Sequence, residues 1–185
     1  MVHDGMDHKG IVPDNYTLLI SELQINRRMK EIGEQIREDF KGEKPILIGV
    51  LNGAFLFLAD LIRYIDMDLE IDFIRISSYG NEHESSGHIK VLKPLNADIR
   101  DRAVIVVEDI VDSGLSIQFL EKMLSAFNPR KLTFATLLHK PSRTKTNIKL
   151  DYVGFEVDDK FVVGYGLDDE QLKRNLRNIY IYEAE

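Results

Sequence analysis

The sequence predicts an α/β fold in which a mostly parallel, twisted sheet is flanked by helices. Short apolar runs rich in β-branched residues alternate along the chain with longer segments whose apolar residues recur at helical spacing. The length of 185 residues suits one domain, and 44% hydrophobic with 30% charged residues is the composition of a globular protein. We therefore expect residues 1–185 to form a single domain.

The composition also argues against several classes of protein. The chain has no cysteine, so we expect neither a disulfide framework nor a thiol nucleophile. Its first residues lack the basic and apolar regions of a secretory signal, and no apolar run is long enough to span a bilayer. The net charge of -7 argues against broad binding to nucleic acid or to an anionic membrane. We expect a cytoplasmic protein that binds neither.

The N-terminal part of the chain predicts a tail followed by a capped helix. Residues 1–15 show no strand or helix pattern, so we expect a flexible tail, whose histidines and aspartates lack the fixed geometry of a metal site. Ser21 and Gln24 have the spacing of a capping box. The helix that follows should bury an apolar stripe formed by Ile25, Met29, Ile32, Ile36 and Phe40.

The next segment predicts strands separated by a turn, a helix and a polar excursion. Residues 45–51 resemble a buried strand, and after the Asn-Gly turn residues 54–65 form an apolar, buried helix. An alternating strand over residues 69–77 and a returning strand over residues 88–92 enclose the polar stretch 78–88. That stretch is either a plain surface loop or a lid over a site.

The stretch 104–116 is the most informative part of the sequence. Four β-branched residues predict a buried strand, and Glu108 and Asp109 stand where it ends. The turn that follows offers backbone N–H groups, the hydroxyls of Ser113 and Ser116, and a helix N-terminus, which together suit an anion. Carboxylates beside such a turn suggest a sugar phosphate, with the acids on its hydroxyls. The alternative is a solvated acidic turn.

The rest of the chain predicts more short strands. A strand over residues 131–138 ends just before Lys140, which places that ammonium at the rim where ligands of open α/β sheets bind. The remaining predicted elements are strands over residues 152–157, 161–165 and 179–182 and a charged turn or helix over residues 168–176.

Four blocks together resemble one known family. The acidic stretch resembles the phosphoribosyl pyrophosphate (PRPP) signature of type I phosphoribosyltransferases. Three further blocks are similar, in the same order, to those of the hypoxanthine-guanine phosphoribosyltransferases, and the Lys-Phe-Val-Val-Gly-Tyr segment is specific to the 6-oxopurine branch. These blocks are Leu51-Asn52-Gly53-Ala54-Phe55, Ser77-Ser78-Tyr79-Gly80 and residues 159–168.

The resemblance implies a fold and an activity. The fold would be that of type I phosphoribosyltransferases, with a small hood formed by the chain ends and a mobile loop at residues 78–88 that carries Ser78 and Tyr79. The activity would be purine salvage: transfer of ribose-5-phosphate from PRPP to N9 of hypoxanthine or guanine, giving IMP or GMP and pyrophosphate. It also implies a Mg²⁺ cofactor and a homodimer or homotetramer.

The resemblance further assigns the residues that would bind PRPP. Glu108 and Asp109 would hold the ribose hydroxyls, and Asp168 would reach the metal together with them. The pyrophosphate would contact Asn52, Gly53 and Arg174, and the 5′-phosphate would contact Asp112, Ser113, Gly114, Leu115 and Ser116. The family often has lysine where Asn52 stands and an aromatic residue where Asp169 stands, so these two positions are departures.

The base-binding residues follow in the same way. Lys140 offers only donors, so it suits the O6 acceptor and opposes a 6-amino group. The main-chain carbonyl of Val162 would accept from N1–H, Phe161 would stack on the ring, and Asp168 would lie near the 2-position. Asp112 would be the catalytic acid or base at N7.

Two other functions fit parts of the pattern. A PRPP-sensing regulator that binds nucleic acid could use the same fold, although it would not need the base-binding residues. A phospho-acceptor receiver domain would need an acidic cluster after its first sheet strand, where this chain has Leu51-Asn52-Gly53.

Overall fold

The computed structural model describes residues 12, 15–79 and 88–183 of the chain. Within these ranges, no helix is both long and apolar enough to cross a membrane. A single 3₁₀ turn, Ile62–Tyr64, follows the second helix. The other elements are β1 (Tyr16–Ile20), α1 (Glu22–Asp39), β2 (Ile46–Leu51), α2 (Phe55–Leu61), β3 (Glu70–Tyr79), β4 (His88–Lys93), β5 (Ala103–Val111), α3 (Leu115–Ser125), β6 (Lys131–His139), β7 (Tyr152–Glu156), β8 (Val162–Val163) and β9 (Ile179–Tyr182).

The main sheet has six strands in the order β4-β3-β2-β5-β6-β7. Strands β3, β2, β5, β6 and β7 run parallel to their neighbours, and only β4 pairs antiparallel, at the edge. The predicted α/β fold with a mostly parallel sheet is therefore confirmed. Because β2 and β5 lie at the centre, the residues that follow them meet at one edge of the sheet.

Helices cover both faces of this sheet, as predicted. Side chains along β5 alternate between two cores: Ile105 packs in the cluster that contains the buried face of α1, and Val106 packs in the cluster that contains α3. Helix α1 begins with the predicted capping box, in which Ser21 Oγ accepts from the Gln24 N–H and Gln24 Oε1 accepts from the Ser21 N–H. Burial on both faces explains the continuous apolar run before the acids.

A second, three-stranded sheet in the order β1-β9-β8 forms the hood predicted from the chain ends. Strands β1 and β9 pair antiparallel, so the N- and C-terminal parts of the described chain lie side by side. The sequence did not predict β1. Its residue Leu18 is 53% exposed, so the segment lacks clean alternation, and its partner strand lies at the far end of the sequence. The flexible tail expected at residues 1–15 falls almost wholly outside the described residues.

Several predicted boundaries were wrong. The helix expected over residues 54–65 stops at Leu61 and continues only as the 3₁₀ turn. Strand β5 does not end before the acids but carries both of them and continues to Val111. Of the two alternatives predicted for residues 168–176, the structure contains the turn and no helix, because Glu170, Gln171 and Lys173 have positive φ.

The polar stretch 78–88 is only partly described. The backbone of Ser78 and Tyr79 continues β3, where they pair with Ile89 and His88 of β4. Strand β3 is therefore longer than predicted, and the rest of the stretch expected to form a mobile loop, residues 80–87, lies outside the described residues. The side chains of Ser78 and Tyr79 also lie outside them.

Candidate functional site

An open pocket of about 530 Å³ lies at the carboxyl ends of β2 and β5, beside β3. The sheet topology explains its position, since parallel strands deliver the residues after them to the same edge. Arg75, Ser77 and Gln171 also line it, although the sequence did not predict them as site residues. The predicted residues that line the pocket are Asn52, Gly53, Glu108, Asp109, Ser116, Asp168 and Arg174. We call this pocket the diphosphate side.

Glu108 is the most buried acid of the diphosphate side. Its residue is 8% exposed, and its Oε2 atom is buried without a hydrogen-bond partner among the described residues. Burial, with a smaller contribution from the charge of Asp109, raises the pKa of Glu108 well above its usual value. An unpartnered buried carboxylate oxygen is unfavourable, and a ligand hydroxyl that donates to it would relieve that cost.

Asp109 lies directly against the turn that follows β2. A side chain at Gly53 would overlap the Asp109 carboxylate, so only glycine allows this approach. Desolvation raises the pKa of Asp109 to about 6, despite hydrogen bonds from backbone N–H groups and the positive charge of Arg174. Burial therefore raises the pKa of both neighbouring acids.

The turn at Leu51-Asn52-Gly53, which the resemblance assigns to pyrophosphate, has an unusual backbone. The peptide bond between Leu51 and Asn52 is cis, and Asn52 is exposed at the pocket. Gly166, with a φ of 98°, lies so close to the turn that a side chain there would overlap the Gly53 carbonyl oxygen. The turn is thereby held between β5 on one side and the loop before Asp168 on the other.

Arg174 reaches the pocket from the turn that follows Asp168. Its Nη1 donates to the Gly166 carbonyl at 2.7 Å, and its Nη2 lies 2.9 Å from Asp168 Oδ1 and 3.1 Å from Gln171 Oε1. Asp168 Oδ2 in turn accepts from the Gln171 N–H at 2.8 Å. These contacts fix the planar fork of the guanidinium at the pocket before any ligand binds.

Asp169, one of the two departures, contacts the hood. The Tyr16 hydroxyl donates to Asp169 Oδ2 at 3.0 Å, and desolvation followed by this bond raises the pKa of Tyr16. The Tyr16 ring packs against Tyr182 of β9 with ring centroids 5.3 Å apart. The extra acid is thus accommodated by a hydroxyl from β1.

The predicted phosphate turn is supported from behind by the segment after β6. Gly114, the residue before α3, has a φ of 82° and no side chain to cap the helix, and the Leu115 N–H lies 3.5 Å from the Ser113 hydroxyl. A side chain at Gly114 would overlap the Thr146 hydroxyl, and the Lys145 N–H donates to the Ser113 carbonyl at 3.1 Å. The N–H groups of the first helical turn are the donors that an anion would use.

The second group of charges lies beside the phosphate turn, and we call it the base side. Lys140 is 7% exposed, and its Nζ lies 3.4 Å from Asp112 Oδ2 and 3.6 Å from Asp159 Oδ1. Arg143 contacts the same two acids, with Nε 3.0 Å from Asp112 Oδ1 and Nη1 3.5 Å from Asp159 Oδ2. The sequence predicted Lys140 and Asp112 but neither Arg143 nor Asp159.

A weak sequence signal for these two residues existed. Asp159 opens the block that carries the resemblance, and Arg143 stands shortly after Lys140 in the same loop. Phe161, expected to stack on a base, is 51% exposed and makes an edge contact with Tyr182 at 6.3 Å. Val162 is buried in β8. The exposed ring can therefore receive a planar ligand on its face.

The acids of the diphosphate side suit a metal that arrives with a ligand. Glu108, Asp109 and Asp168 line the same pocket, but the described residues contain no preassembled group of three metal-ligating side chains. Mg²⁺ usually keeps several waters and binds one or two carboxylates together with substrate phosphates. The donor set therefore fits Mg²⁺ shared with a diphosphate.

Comparison with known proteins assigns the chain. The sequence model of the phosphoribosyl transferase domain matches residues 20–170. The hypoxanthine-guanine phosphoribosyltransferase of Bacillus subtilis is 46% identical over 86% of this chain and 88% of its own length. The hypoxanthine phosphoribosyltransferase of Escherichia coli is 42% identical over 86% and 90%. The crystal structure of a Bacillus anthracis hypoxanthine-guanine phosphoribosyltransferase superposes with a TM-score of 0.86 at 48% identity, covering 89% and 97%. With a matching domain, matching fold and near full-length relatives, the chain belongs to the hypoxanthine-guanine phosphoribosyltransferase family.

Proposed function

We propose that the protein transfers ribose-5-phosphate from PRPP to N9 of hypoxanthine or guanine and releases pyrophosphate. The observation that carries this proposal is the pairing of two different regions at one sheet edge. The diphosphate side offers buried acceptors, a guanidinium and an uncapped helix start, and the base side offers a buried ammonium near an exposed ring. A sugar diphosphate needs the first region, and a 6-oxopurine needs the second.

On the diphosphate side, each part of PRPP meets a matching group. The carboxylates of Glu108 and Asp109 accept from the ribose hydroxyls, which gives the unpartnered Glu108 oxygen its donor. The N–H groups and hydroxyls of residues 113–116 bind the 5′-phosphate. The fork of Arg174 and the main chain at Gly53 bind the pyrophosphate.

Mg²⁺, where bound, would be held by Asp168 with Glu108 and Asp109 and would neutralise charge on the leaving pyrophosphate. The Arg174 guanidinium would also neutralise charge on the pyrophosphate, since it lies in the same pocket, 2.9 Å from Asp168. The protein thus stabilises the leaving group by electrostatics rather than by covalent chemistry.

On the base side, donor matching selects the substrate. Lys140 donates to O6 of a 6-oxopurine and has no acceptor for the 6-amino group of adenine. The Val162 carbonyl accepts from N1–H, Phe161 stacks on the ring, and Asp168 lies near the 2-position. The protein should therefore discriminate against adenine, whose 6-amino group offers Lys140 no acceptor.

The reaction breaks the bond between C1 of the ribose and the pyrophosphate oxygen and forms the bond between C1 and N9. Positive charge develops at the sugar ring as the leaving group departs, while the purine must lose a proton. Asp112 takes or shares that proton through N7, as a positioned general base. Exclusion of water by closure over the site would protect the reactive sugar.

The alternative function, a PRPP-sensing regulator that binds nucleic acid, is not supported by the comparisons. All of the base-binding residues that a regulator could lose, namely Lys140, Phe161 and Val162, are present. The cytoplasmic location and the homodimeric or homotetrameric state expected from the sequence stay predictions.

The test is steady-state kinetics with PRPP, Mg²⁺ and each of four bases: hypoxanthine, guanine, xanthine and adenine. We expect a change in ultraviolet absorbance with hypoxanthine or guanine, dependent on both PRPP and Mg²⁺, and none with adenine. The relative kcat/KM values rank the bases. The proposal is overturned if no base gives a PRPP-dependent product.

A further inference from the structure

Four charged side chains of the base side form an alternating ring, which we call the base-side quartet: Asp112, Lys140, Asp159 and Arg143. Each acid contacts both cations, and each cation contacts both acids, at 3.0 to 3.6 Å. The quartet carries two positive and two negative charges and is therefore neutral when all four members are ionised. The proposed function assigns roles to Asp112 and Lys140 only.

The contacts within the quartet are not equal. The shortest is the bond from Arg143 Nε to Asp112 Oδ1 at 3.0 Å, whereas Lys140 lies 3.4 Å from Asp112 and 3.6 Å from Asp159. Geometry therefore makes Arg143 the main partner of Asp112, and Lys140 is the less tightly bound cation.

This inequality matters when a base binds. Lys140 must turn its ammonium toward the O6 atom of the base, and Asp112 must remain beside N7. In a chain without Arg143, Asp112 would have Lys140 as its nearest cation, and attraction between them would compete with the base for the same ammonium. With Arg143 present, Asp112 keeps a cationic partner while the Lys140 ammonium turns from Asp112 to the O6 atom of the base.

The backbone around the quartet holds its members in register. The Lys140 N–H donates to the Val111 carbonyl at 2.9 Å, and the Arg143 N–H donates to the Lys140 carbonyl at 3.1 Å. The Thr144 hydroxyl donates to the Asp112 carbonyl at 2.9 Å. The loop that carries Arg143 is thereby bonded directly to the segment that carries Asp112.

We propose that Arg143 and Asp159 are positioning residues for the transfer reaction. Arg143 holds Asp112 in place, and Asp159 holds the Lys140 ammonium in place while no base is bound. The inference rests on the proposed function, because it assigns roles relative to the base. Neither residue touches the reacting atoms. Arg143 is half exposed, so its replacement leaves the core intact.

The experiment compares Arg143→Ala, Arg143→Lys and Asp159→Asn with wild type. Arg100→Ala is the matched control, since Arg100 forms an exposed ion pair with Asp98 away from the site. For Arg143→Ala we expect kcat/KM for hypoxanthine to fall about tenfold to hundredfold, as misplacing a catalytic group by about 1 Å can cost that much. The dissociation constant for PRPP with Mg²⁺ should change less than about threefold, because the diphosphate side is untouched.

Two further readouts separate positioning from a general structural role. Guanidinium at roughly 10 mM should restore activity severalfold in Arg143→Ala but not in wild type or Arg100→Ala, because the ion can occupy the vacated site beside Asp112. Asp159→Asn should raise the KM for hypoxanthine by no more than about fivefold and leave kcat unchanged, since both of the ion pairs that it weakens involve a half-exposed carboxylate. Arg143→Lys should fall between wild type and the alanine variant.

The outcomes distinguish the two levels of inference. Wild-type protein that forms no product overturns the proposed function and this inference with it. Active wild type with an unaffected Arg143→Ala, with no guanidinium rescue, or with equal losses in PRPP binding and turnover overturns the positioning role and leaves the proposed function standing.

Discussion

Glu108 and Asp109 of the diphosphate side and Asp112 of the base side come from the same short stretch of β5 and its following turn, yet their surroundings differ. Glu108 and Asp109 are desolvated, and the pKa values of both are raised. Asp112 lies in the quartet between Lys140 and Arg143. The comparison teaches that the role of a carboxylate is set by burial and by neighbouring charge rather than by its place in the motif.

The largest effect is expected from Asp112→Asn, which keeps size and hydrogen bonding but removes the base. Loss of a general base typically costs about 10²–10⁴ in rate, so kcat should fall by that factor. The dissociation constant for PRPP should change little, because main-chain N–H groups hold the phosphate. Asp98→Asn, at an exposed ion pair, is the control. A kcat within a few-fold of wild type would move the acid–base role elsewhere.

Asp109→Asn tests whether the acids of β5 are desolvated, and the quantity measured is the free energy of unfolding as a function of pH. The pKa of Asp109 is raised from 3.8 to about 6, so the fold favours its protonated form. Stability from this group is fully present below about pH 3.8 and is lost as the pH rises through about 6. The asparagine variant has no such loss. Its free energy of unfolding should therefore rise relative to wild type by about 2 kcal/mol between pH 4 and pH 7.

Urea denaturation of the ligand-free protein over that pH range measures the difference. Asp68→Asn is the control, since Asp68 is 81% exposed in its ion pair with Lys44. A difference between wild type and Asp109→Asn that stays constant with pH would show that Asp109 is not desolvated as the structure indicates.

Lys140→Ala tests the role of the Lys140 ammonium on the base side. A hydrogen bond to a charged donor is worth about 1.5–3 kcal/mol, so kcat/KM for hypoxanthine should fall about tenfold to hundredfold. PRPP binding should be nearly unchanged. The exposed Lys149→Ala serves as the control. An unaltered kcat/KM would contradict the assignment of Lys140 to the O6 atom.

Tyr16→Phe should give the smallest effect, and it tests whether the Tyr16 hydroxyl and the Asp169 carboxylate stabilise the fold as a pair. The change removes one hydrogen bond at 3.0 Å and should lower the free energy of unfolding by about 1 kcal/mol. A double-mutant cycle with Asp169→Ala isolates the pair, and the two losses should not add. Additive losses would mean that the hydroxyl and the carboxylate act independently.

Sequence patterns predicted the parts of the molecule whose causes are local. The capping box at Ser21, the buried run before Glu108 and the turn at Gly114 each follow from neighbouring residues, and the structure contains all three. The resemblance supplied seven residues that line the pocket together, but not Arg75, Ser77 or Gln171.

Features made by distant parts of the chain were missed for a physical reason. Strand β1 depends on pairing with β9, and Leu18 faces outward, so no local alternation marks it. Arg143 and Asp159 look like ordinary loop charges until the fold brings both to Asp112 and Lys140. The length of β5 beyond Asp109 is likewise set by pairing with β6.

The pairing of β1 with β9 also has a consequence for how the protein is made. During synthesis on the ribosome, every strand of the six-stranded sheet emerges before residues 179–182, so that sheet can assemble first. Strand β1 emerges earliest but finds its partner last. The hydroxyl of Tyr16 therefore reaches Asp169 in a stable hood only after β9 has been made, and a ribosome-bound chain truncated before β9 should carry a folded six-stranded sheet without the hood.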